Sequence, residues 1–406
     1  MKLSQNVREE RDNHYVILIN IFNGLWHRMT SEVYDALNLF LSSNISIDFF
    51  VNECVDPSDK EYFEKTITYL KKIEILQDED LCSTPESIGF AITHRCNLKC
   101  KHCSYDAGDI NDSEKVSDDE VITILNRIIE LKPETISITG GEPLVRKNFT
   151  DILKVLEQSE IPNKNLMTNG LLITPKNIFD LLQVFNSFDI SIDGVDEKTC
   201  SFIRGKGVFD QVIKNVEELI KHGADPRKIS LSMVLSSENE KNIDHFYSIN
   251  EKIGTNPVIR NYSYLGRGEL NADLFNINIS DINTITPDIT EFTAMNCGAA
   301  QSELYIDCDG QIYPCPMILD KEFVMGNVLS ICDIKEYFSE RKHLESQGYK
   351  NFLSKYMPEN YKPCKQCKSK YFCVKCPVQH FQYMNRDIKA RYCEIKKEMC
   401  SIVWRR

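Results

Sequence analysis

The sequence predicts an α/β protein built on a partial, TIM-like (β/α)6 barrel, with a small winged-helix-like domain before it and a cysteine-rich part after it. Three observations predict this. Six strands alternate with five helices between residues 87 and 262, a hairpin, two helices and a strand occupy the first 80 residues, and the tail loses that rhythm while holding ten of the 16 cysteines.

In the N-terminal part, the runs Tyr15 to Phe22 and Leu25 to Arg28 flank Asn23-Gly24, the strongest short hairpin signal. A helix is expected from Ser31, with Val33, Leu37, Leu39, Phe40 and Leu41 on its apolar face, and a second from near Ser58, carrying Tyr62, Ile67 and Leu70. A strand Ile73 to Leu76 closes the unit. From Ser87 the alternation begins. Strands are expected at Ile88 to Thr93, Thr135 to Thr139, Asn165 to Thr168, Phe188 to Ile192, Ile229 to Leu235 and Pro257 to Tyr262. The helices between them are Ser117 to Lys132, with a Ser117/Glu120 capping box, then Asn148 to Gln158, Pro175 to Phe185, Phe209 to His222 and Glu240 to Ile253. Such a series implies parallel strands with right-handed crossovers, and six units rather than eight argue against a closed barrel. Functional residues are expected where strands end. The tail holds one clear hairpin, Leu304 to Tyr313 around Asp309-Gly310. The division expected is therefore 1–85, 86–270 and 271–406.

With 42% hydrophobic and 27% charged residues the chain can bury a core. No apolar run approaches the roughly 18–20 residues of a membrane span, and the polar start Met1 to Asn13 carries no signal sequence. The expectation is a cytoplasmic protein with no membrane partner, where disulfides are rare. Its net charge of −12 argues against nucleic acid as a partner.

The cysteines are too many for a reducing compartment unless some bind metal. Cys96, Cys100 and Cys103 lie on the loop after the first barrel strand, spaced to converge on one soft metal centre. Structural zinc closes a tetrahedron, so three thiolates leave one position open. His102 is a weak candidate for it, because its neighbour Cys103 is already a ligand.

These residues resemble the radical S-adenosylmethionine (SAM) superfamily. Cys-x3-Cys-x2-Cys follows the first strand, Gly140-Gly141-Glu142-Pro143 the second, Thr168-Asn169-Gly170 ends the third, Ser191-Ile192-Asp193-Gly194 the fourth, and Arg204 stands in Ile-Arg-Gly. The resemblance implies a 4Fe-4S cluster whose open position is filled by the amino and carboxylate groups of SAM. Gly140 to Pro143 would hold the methionine amino group, Asn169, Ser191 and Asp193 would contact ribose and carboxylate, and Arg204 would pair with the carboxylate. The chemistry agrees: glycine lets a backbone come close to a ligand, a carboxylate accepts from an ammonium group, and a guanidinium grips a carboxylate as a fork. His102 departs from the family, which more often has an aromatic residue there.

The second field is Cys297, Cys315, then Cys364-x2-Cys367-x5-Cys373-x2-Cys376, then Cys393. Two Cys-x2-Cys pairs alone fit zinc as well as iron. Behind a radical SAM barrel the field resembles the SPASM extension, which carries two auxiliary 4Fe-4S clusters, as do Asp309-Gly310, Tyr313-Pro314-Cys315 and Gly326-Asn327. By this resemblance Cys364, Cys367, Cys373 and Cys393 would hold the outer cluster, and Cys297, Cys315 and Cys376 the inner one. The inner cluster's fourth ligand is Cys308 or an open position. Two residues separate Cys373 from Cys376 where the family usually has three. Cys54, Cys82, Cys200, Cys332 and Cys400 are left as packing residues.

What the resemblance implies is a radical SAM oxidoreductase that takes an electron from a reductant such as flavodoxin or ferredoxin, cleaves SAM and abstracts hydrogen through a 5′-deoxyadenosyl radical. The N-terminal domain resembles the element with which ribosomal-peptide maturases bind a leader segment of the precursor peptide as an added strand. The expected product is a thioether or carbon-carbon crosslink or another oxidative change. Two alternatives stand beside it. One is a formylglycine-forming enzyme of the anaerobic sulfatase maturase kind, which usually lacks the N-terminal element. The other is a non-enzymatic iron-sulfur or zinc protein, against which the Gly-Gly-Glu-Pro segment argues.

Overall fold

A computed structural model of the chain describes residues 1–43, 46–52, 56–78, 84–236, 239–260, 262–275, 293–373, 375–385, 393–394, 396–397 and 400–404. Cys54 and Cys82, expected as packing residues, lie outside these. The chain divides into two compact units: Met1–Cys82, Ile279–Gly298 and Phe352–Arg406 make the first, Ser83–Asn278 and Ala299–Asn351 the second. Among the described residues no helix is long and apolar enough to cross a membrane.

In the first unit, β1 (Lys2–Leu3) and β2 (Val7–Arg11) precede the expected hairpin of β3 (Tyr15–Asn20) and β4 (Trp26–Thr30). The sequence pattern did not show β1 and β2, because one is two residues long and the other, Val-Arg-Glu-Glu-Arg, has no apolar period. The antiparallel order is β2-β3-β4, and Val16 to Ile19 in the central strand are fully buried. Helices α1 (Ser31–Ser43), α2 (Ile47–Asn52) and α3 (Pro57–Lys72) follow. Asp56 caps α3 by accepting the Ser58 N–H at 2.8 Å, and Pro57 starts it where no N–H is needed. Tyr34, Leu37, Phe40, Ile67 and Leu70 pack with Val16, Leu18 and Met29 into one core. The expected strand from Ile73 shortens to β5 (Leu76–Gln77), because Glu74 takes a φ of +57° in the turn out of α3. Residues from the far end of the chain belong to the same body. Trp26 stands edge-on to Phe372 at 5.5 Å, Arg8 pairs with Glu359 at 2.8 Å, and Arg28 donates to the Val403 carbonyl at 2.9 Å.

The second unit is organised by a nine-stranded sheet. After β6 (Ser87–Ala91), a two-residue ladder joins β7 (Arg95–Cys96) to β8 (Gly108–Asp109). Helix α4 (Asp118–Glu130) opens on the expected capping box and buries Val121, Ile124, Leu125 and Ile128. Then come β9 (Thr135–Thr139), α5 (Phe149–Glu157), β10 (Asn163–Thr168), α6 (Ile178–Val184), β11 (Ser187–Ser191), α7 (Glu197–Arg204), α8 (Val208–Lys221), β12 (Ile229–Val234), α9 (Ile243–Ile253) and β13 (Asn256–Arg260). All six expected strands are present and parallel, in the order β13-β12-β11-β10-β9-β6. Helix α7 was not foreseen. It is eight residues long with only Cys200 and Ile203 buried, too short for periodicity to register, and it is started by Asp196 and Thr199. Past the short α10 (Arg267–Leu270), the expected hairpin appears as β14 (Glu303–Ile306) and β15 (Gln311–Tyr313), followed by β16 (Gly326–Asn327). β14 pairs in parallel with β6, so these strands continue the same sheet. The C-terminal ends of β6, β9, β10, β11 and β14 therefore open onto one edge.

Candidate active site

The cluster loop is placed by backbone hydrogen bonds. The Gly141 N–H donates to the Thr93 carbonyl at 2.9 Å and the Glu142 N–H to the Arg95 carbonyl at 2.8 Å, stitching the Gly-Gly-Glu-Pro segment to the chain just before Cys96. A Cβ on Gly140 would stand 2.3 Å from the Thr93 oxygen, and one on Gly141 2.1 Å from the Arg95 oxygen. These glycines permit two backbones to touch, whereas the sequence alone suggested a ligand as the neighbour.

Cys100 and Cys103 lie close enough to Cys96 to raise its pKa, and Cys103 does the same for Cys100. Burial pushes the Cys96 thiol up to about 11 and also raises Cys100, with the neighbouring thiols adding to it. Thiols raised in this way become anionic only beside a cationic partner. Each sulfur also has a donor: Leu98 N–H at 3.4 Å from Cys96, Ala107 N–H at 3.5 Å from Cys103, and Arg204 at 3.9 Å from Cys100. Soft donors served by N–H groups, Cys100 buried and Cys96 and Cys103 partly so, fit an iron-sulfur cluster. Arg267, which sequence reasoning missed, clamps the loop. Its Nε donates to the Cys100 carbonyl at 3.1 Å, its Nη1 to the Ala107 carbonyl at 2.8 Å, and its backbone N–H to the Cys103 carbonyl at 3.0 Å. Its Nη2 is buried with no hydrogen-bond partner among the described residues.

The remaining expected residues surround this loop. Glu142 is fully buried. Its carboxylate accepts from the Thr168 hydroxyl at 2.7 Å, the Asn169 N–H at 2.8 Å and the Leu144 N–H at 3.2 Å. Burial pushes this carboxyl up against those bonds. Pro143 opens the short turn behind it. The Asn169 amide donates to Asn97 on the cluster loop at 2.7 Å and stands 3.9 Å from Cys96. Ser191 accepts from Ser232 at 3.3 Å.

Asp193 has a φ of +49° and is buried, with Arg204 at 2.5 Å and His102 at 2.7 Å on one oxygen and the Val234 N–H at 2.6 Å on the other. Burial alone would raise this carboxyl, but the adjoining guanidinium and imidazole outweigh it and hold it well below the usual carboxylate range. His102 is thus turned onto Asp193. Arg204 spends its Nε on Asp193 and points Nη1 at Cys100, so the structure gives it an internal partner beside the expected ligand carboxylate. A further network, also missed, sits one strand away: His94 contacts Asp307 at 2.8 Å and Lys115 at 2.9 Å, and the Tyr105 hydroxyl donates to Asp307. Cys308 is fully buried beside His94 and Asp307.

In the first unit, Cys364, Cys367, Cys373 and Cys393 line one cavity of about 290 Å³, together with Lys370, His380, Met384 and Lys397. Among the described residues the wall carries four thiols and no carboxylate, which suits an iron-sulfur cluster better than a hard cation. Lys370 is buried and pairs with Glu10 of β2. Cys297 and Cys376 are drawn together in the same unit, since Asn296 N–H donates to the Lys375 carbonyl at 3.3 Å. Cys315 belongs to the second unit. The described cysteines are all free thiols. Cys200 and Cys400 are buried as expected of packing residues, Cys400 hydrogen-bonded to Cys373, whereas Cys332 is exposed because it lies in the turn before Ile334.

The model of the radical SAM superfamily matches residues 90–248, and that of SPASM, an iron-sulfur cluster-binding domain, matches residues 297–368. The chain is similar to the mycofactocin maturase MftC of Mycolicibacterium smegmatis, 26% identical over 301 residues that cover 67% of this chain and 74% of that one. Its fold is similar to that of anSMEcpe with bound AdoMet, with a TM-score of 0.56, 17% identity, and coverage of 79% of this chain and 98% of the other. It is similar also to that of Streptococcus suis SuiB bound to S-adenosylmethionine, with a TM-score of 0.54, 16% identity, and coverage of 94% and 97%.

Two outcomes follow from this geometry. Gly141→Ala forces its Cβ into the Arg95 carbonyl, so it should cost about 1–3 kcal/mol of stability and reduce the iron held after anaerobic reconstitution; full iron and an unchanged melting temperature would contradict the stitched-loop account. Asp193 has a lower pKa folded than unfolded, so between the two values the unfolded chain binds the extra proton. The stability from this carboxylate is complete above the ordinary Asp value of about 4 and is lost as pH falls below it. Asp193→Asn should therefore cost about 3–5 kcal/mol at neutral pH and flatten the acid limb of the unfolding curve, as read by denaturant titrations at several pH values.

Proposed function

The chain belongs to the radical SAM superfamily and carries a SPASM iron-sulfur domain, and on that premise we propose that it matures a ribosomally made peptide in the cytoplasm, installing a thioether or carbon-carbon crosslink or another oxidative change. The observation that carries the reading is the edge of the parallel sheet. There the Cys96, Cys100 and Cys103 thiols, the buried Glu142 carboxylate and the Asp193–Arg204 pair all face one loop system.

A cluster and SAM bound there would supply the reductive radical chemistry needed for hydrogen abstraction. The chain's own residues do the holding. Cys96, Cys100 and Cys103 would ligate three irons, and the N–H groups of Leu98 and Ala107 would steady two of the sulfurs. Glu142 is a buried acceptor suited to an ammonium group, with Gly140, Gly141 and Pro143 fixing its backbone. Arg204, kept charged by Asp193, brings a positive group suited to a carboxylate, and Asn169 and Ser191 offer neutral polar contacts. In the SPASM region, Cys364, Cys367, Cys373 and Cys393 would hold an outer cluster. Cys297, Cys315 and Cys376 would hold an inner one, making three clusters with the first.

Support for a peptide substrate comes from the N-terminal 85 residues. The sheet β2-β3-β4 has two edge strands, either suited to an added strand from a leader segment. This recognition element packs in one unit with the 364–376 cysteine segment. The relative MftC is by name a maturase. A small electron donor such as flavodoxin or ferredoxin would serve as reductant.

Replacing Cys96, Cys100 and Cys103 by alanine should abolish 5′-deoxyadenosine formation from SAM under a strong reductant, followed by chromatography; any remaining turnover would remove the loop from the reaction. Coexpressed with its precursor peptide, the intact chain should yield a product lighter by a pair of hydrogen atoms in mass spectrometry. A precursor cut back to its core should be processed at least about tenfold more slowly while SAM cleavage persists, since leader affinity is lost but the cofactor site is not.

A further inference from the structure

His380 carries no signal in the sequence, yet the structure gives it a defined partner. It sits one turn into α11, the helix Pro377–Met384 that follows Cys376, with its backbone N–H donating to the Cys376 carbonyl at 3.0 Å. Its side chain is 2% exposed, and its Nε2 lies 3.1 Å from the Sγ of Cys364, inside the cavity that also receives Cys367, Cys373 and Cys393.

A cysteine sulfur that binds iron has lost its proton and can only accept, so the hydrogen between these two atoms belongs to Nε2. The helix and the burial fix the ring in place. An N–H group held against a ligand sulfur draws charge from it and favours the more negative, reduced form of the cluster; hydrogen bonds to the sulfurs, net charge and solvent exposure are the terms that set such potentials.

We propose that His380 is a positioning residue of the outer auxiliary site, donating its Nε2–H to the Cys364 sulfur and raising the potential at which a cluster held there takes up an electron. The proposal rests on the four-cysteine outer site described above.

The test is a redox titration of the anaerobically reconstituted full-length chain, followed by electron paramagnetic resonance, for the wild type, His380→Leu and His380→Gln. His380→Leu should hold the same iron as the wild type and shift the midpoint of one auxiliary signal to lower potential. His380→Gln, whose amide can still donate, should recover part of the shift, and the signal that responds to SAM should not move. An unmoved midpoint at full iron overturns the proposal, and so does loss of one cluster's iron in both variants, which would make His380 a ligand. If His380→Leu fails to fold, the wild type with 15N-labelled histidine decides. The reduced auxiliary cluster should show a histidine nitrogen coupling and an exchangeable proton coupling in electron-nuclear double resonance, and their absence overturns the proposal. Cys367→Ala separates the two readings. If it leaves iron content and auxiliary signals intact, the outer site itself is wrong; if it removes a cluster while His380→Leu leaves the midpoint unmoved, only the role of His380 falls.

Discussion

The close approach of the Gly140-Gly141 backbone to Thr93–Arg95 is the constraint on which the active-site edge depends. Two amide-carbonyl bonds across that seam fix the start of the cluster loop relative to β9, and a side chain at either glycine would occupy the space of a carbonyl oxygen. Everything nearby is referenced to it. Glu142 is carried into full burial by the same segment, and its carboxylate then organises the ends of β10 through Thr168 and Asn169. Asn169 in turn reaches back to Asn97 on the loop, closing a circuit of polar contacts around Cys96.

Burying Asp193 as a charge is tolerable only because it has counterparts. Asp193 is held between Arg204 and His102, so a carboxylate that burial would neutralise remains ionised and keeps the arginine aligned toward Cys100. Arg267 does for the far end of the loop what the glycine seam does for the near end, taking the carbonyls of Cys100, Cys103 and Ala107. The thiols then occupy a partly buried, donor-rich niche whose chemistry calls for a cationic centre, in keeping with the radical SAM superfamily model that matches residues 90–248.

The first unit poses a different problem, because its two halves come from opposite ends of the chain. The N-terminal sheet and the last cysteine segment share the Trp26–Phe372 contact and the buried Glu10–Lys370 pair. Lys370 also lines the four-cysteine cavity, so an edge strand of the N-terminal sheet and the wall of that cavity meet through one ion pair. A change in either would be felt by the other through a buried charge, which is poorly screened.

The sequence by itself determined the parts governed by local rules. The six parallel strands, the capped helix at Ser117, the Asp309-Gly310 hairpin and the three-cysteine loop all follow from periodicity, caps and spacing, which act over a few residues. Tertiary structure decided whatever depends on distant partners. It turned Gly140 and Gly141 toward a backbone, gave Arg204 and His102 to Asp193, and recruited Arg267 and His380 to sulfur-bearing loops. It also added β14 to the edge of β6 and joined the chain's two ends in one body. An arginine or a histidine at those positions reads as an ordinary polar residue until the chain is folded. Hydrogen bonds and ion pairs form between atoms a few ångströms apart in space, and spacing along the chain carries no record of them.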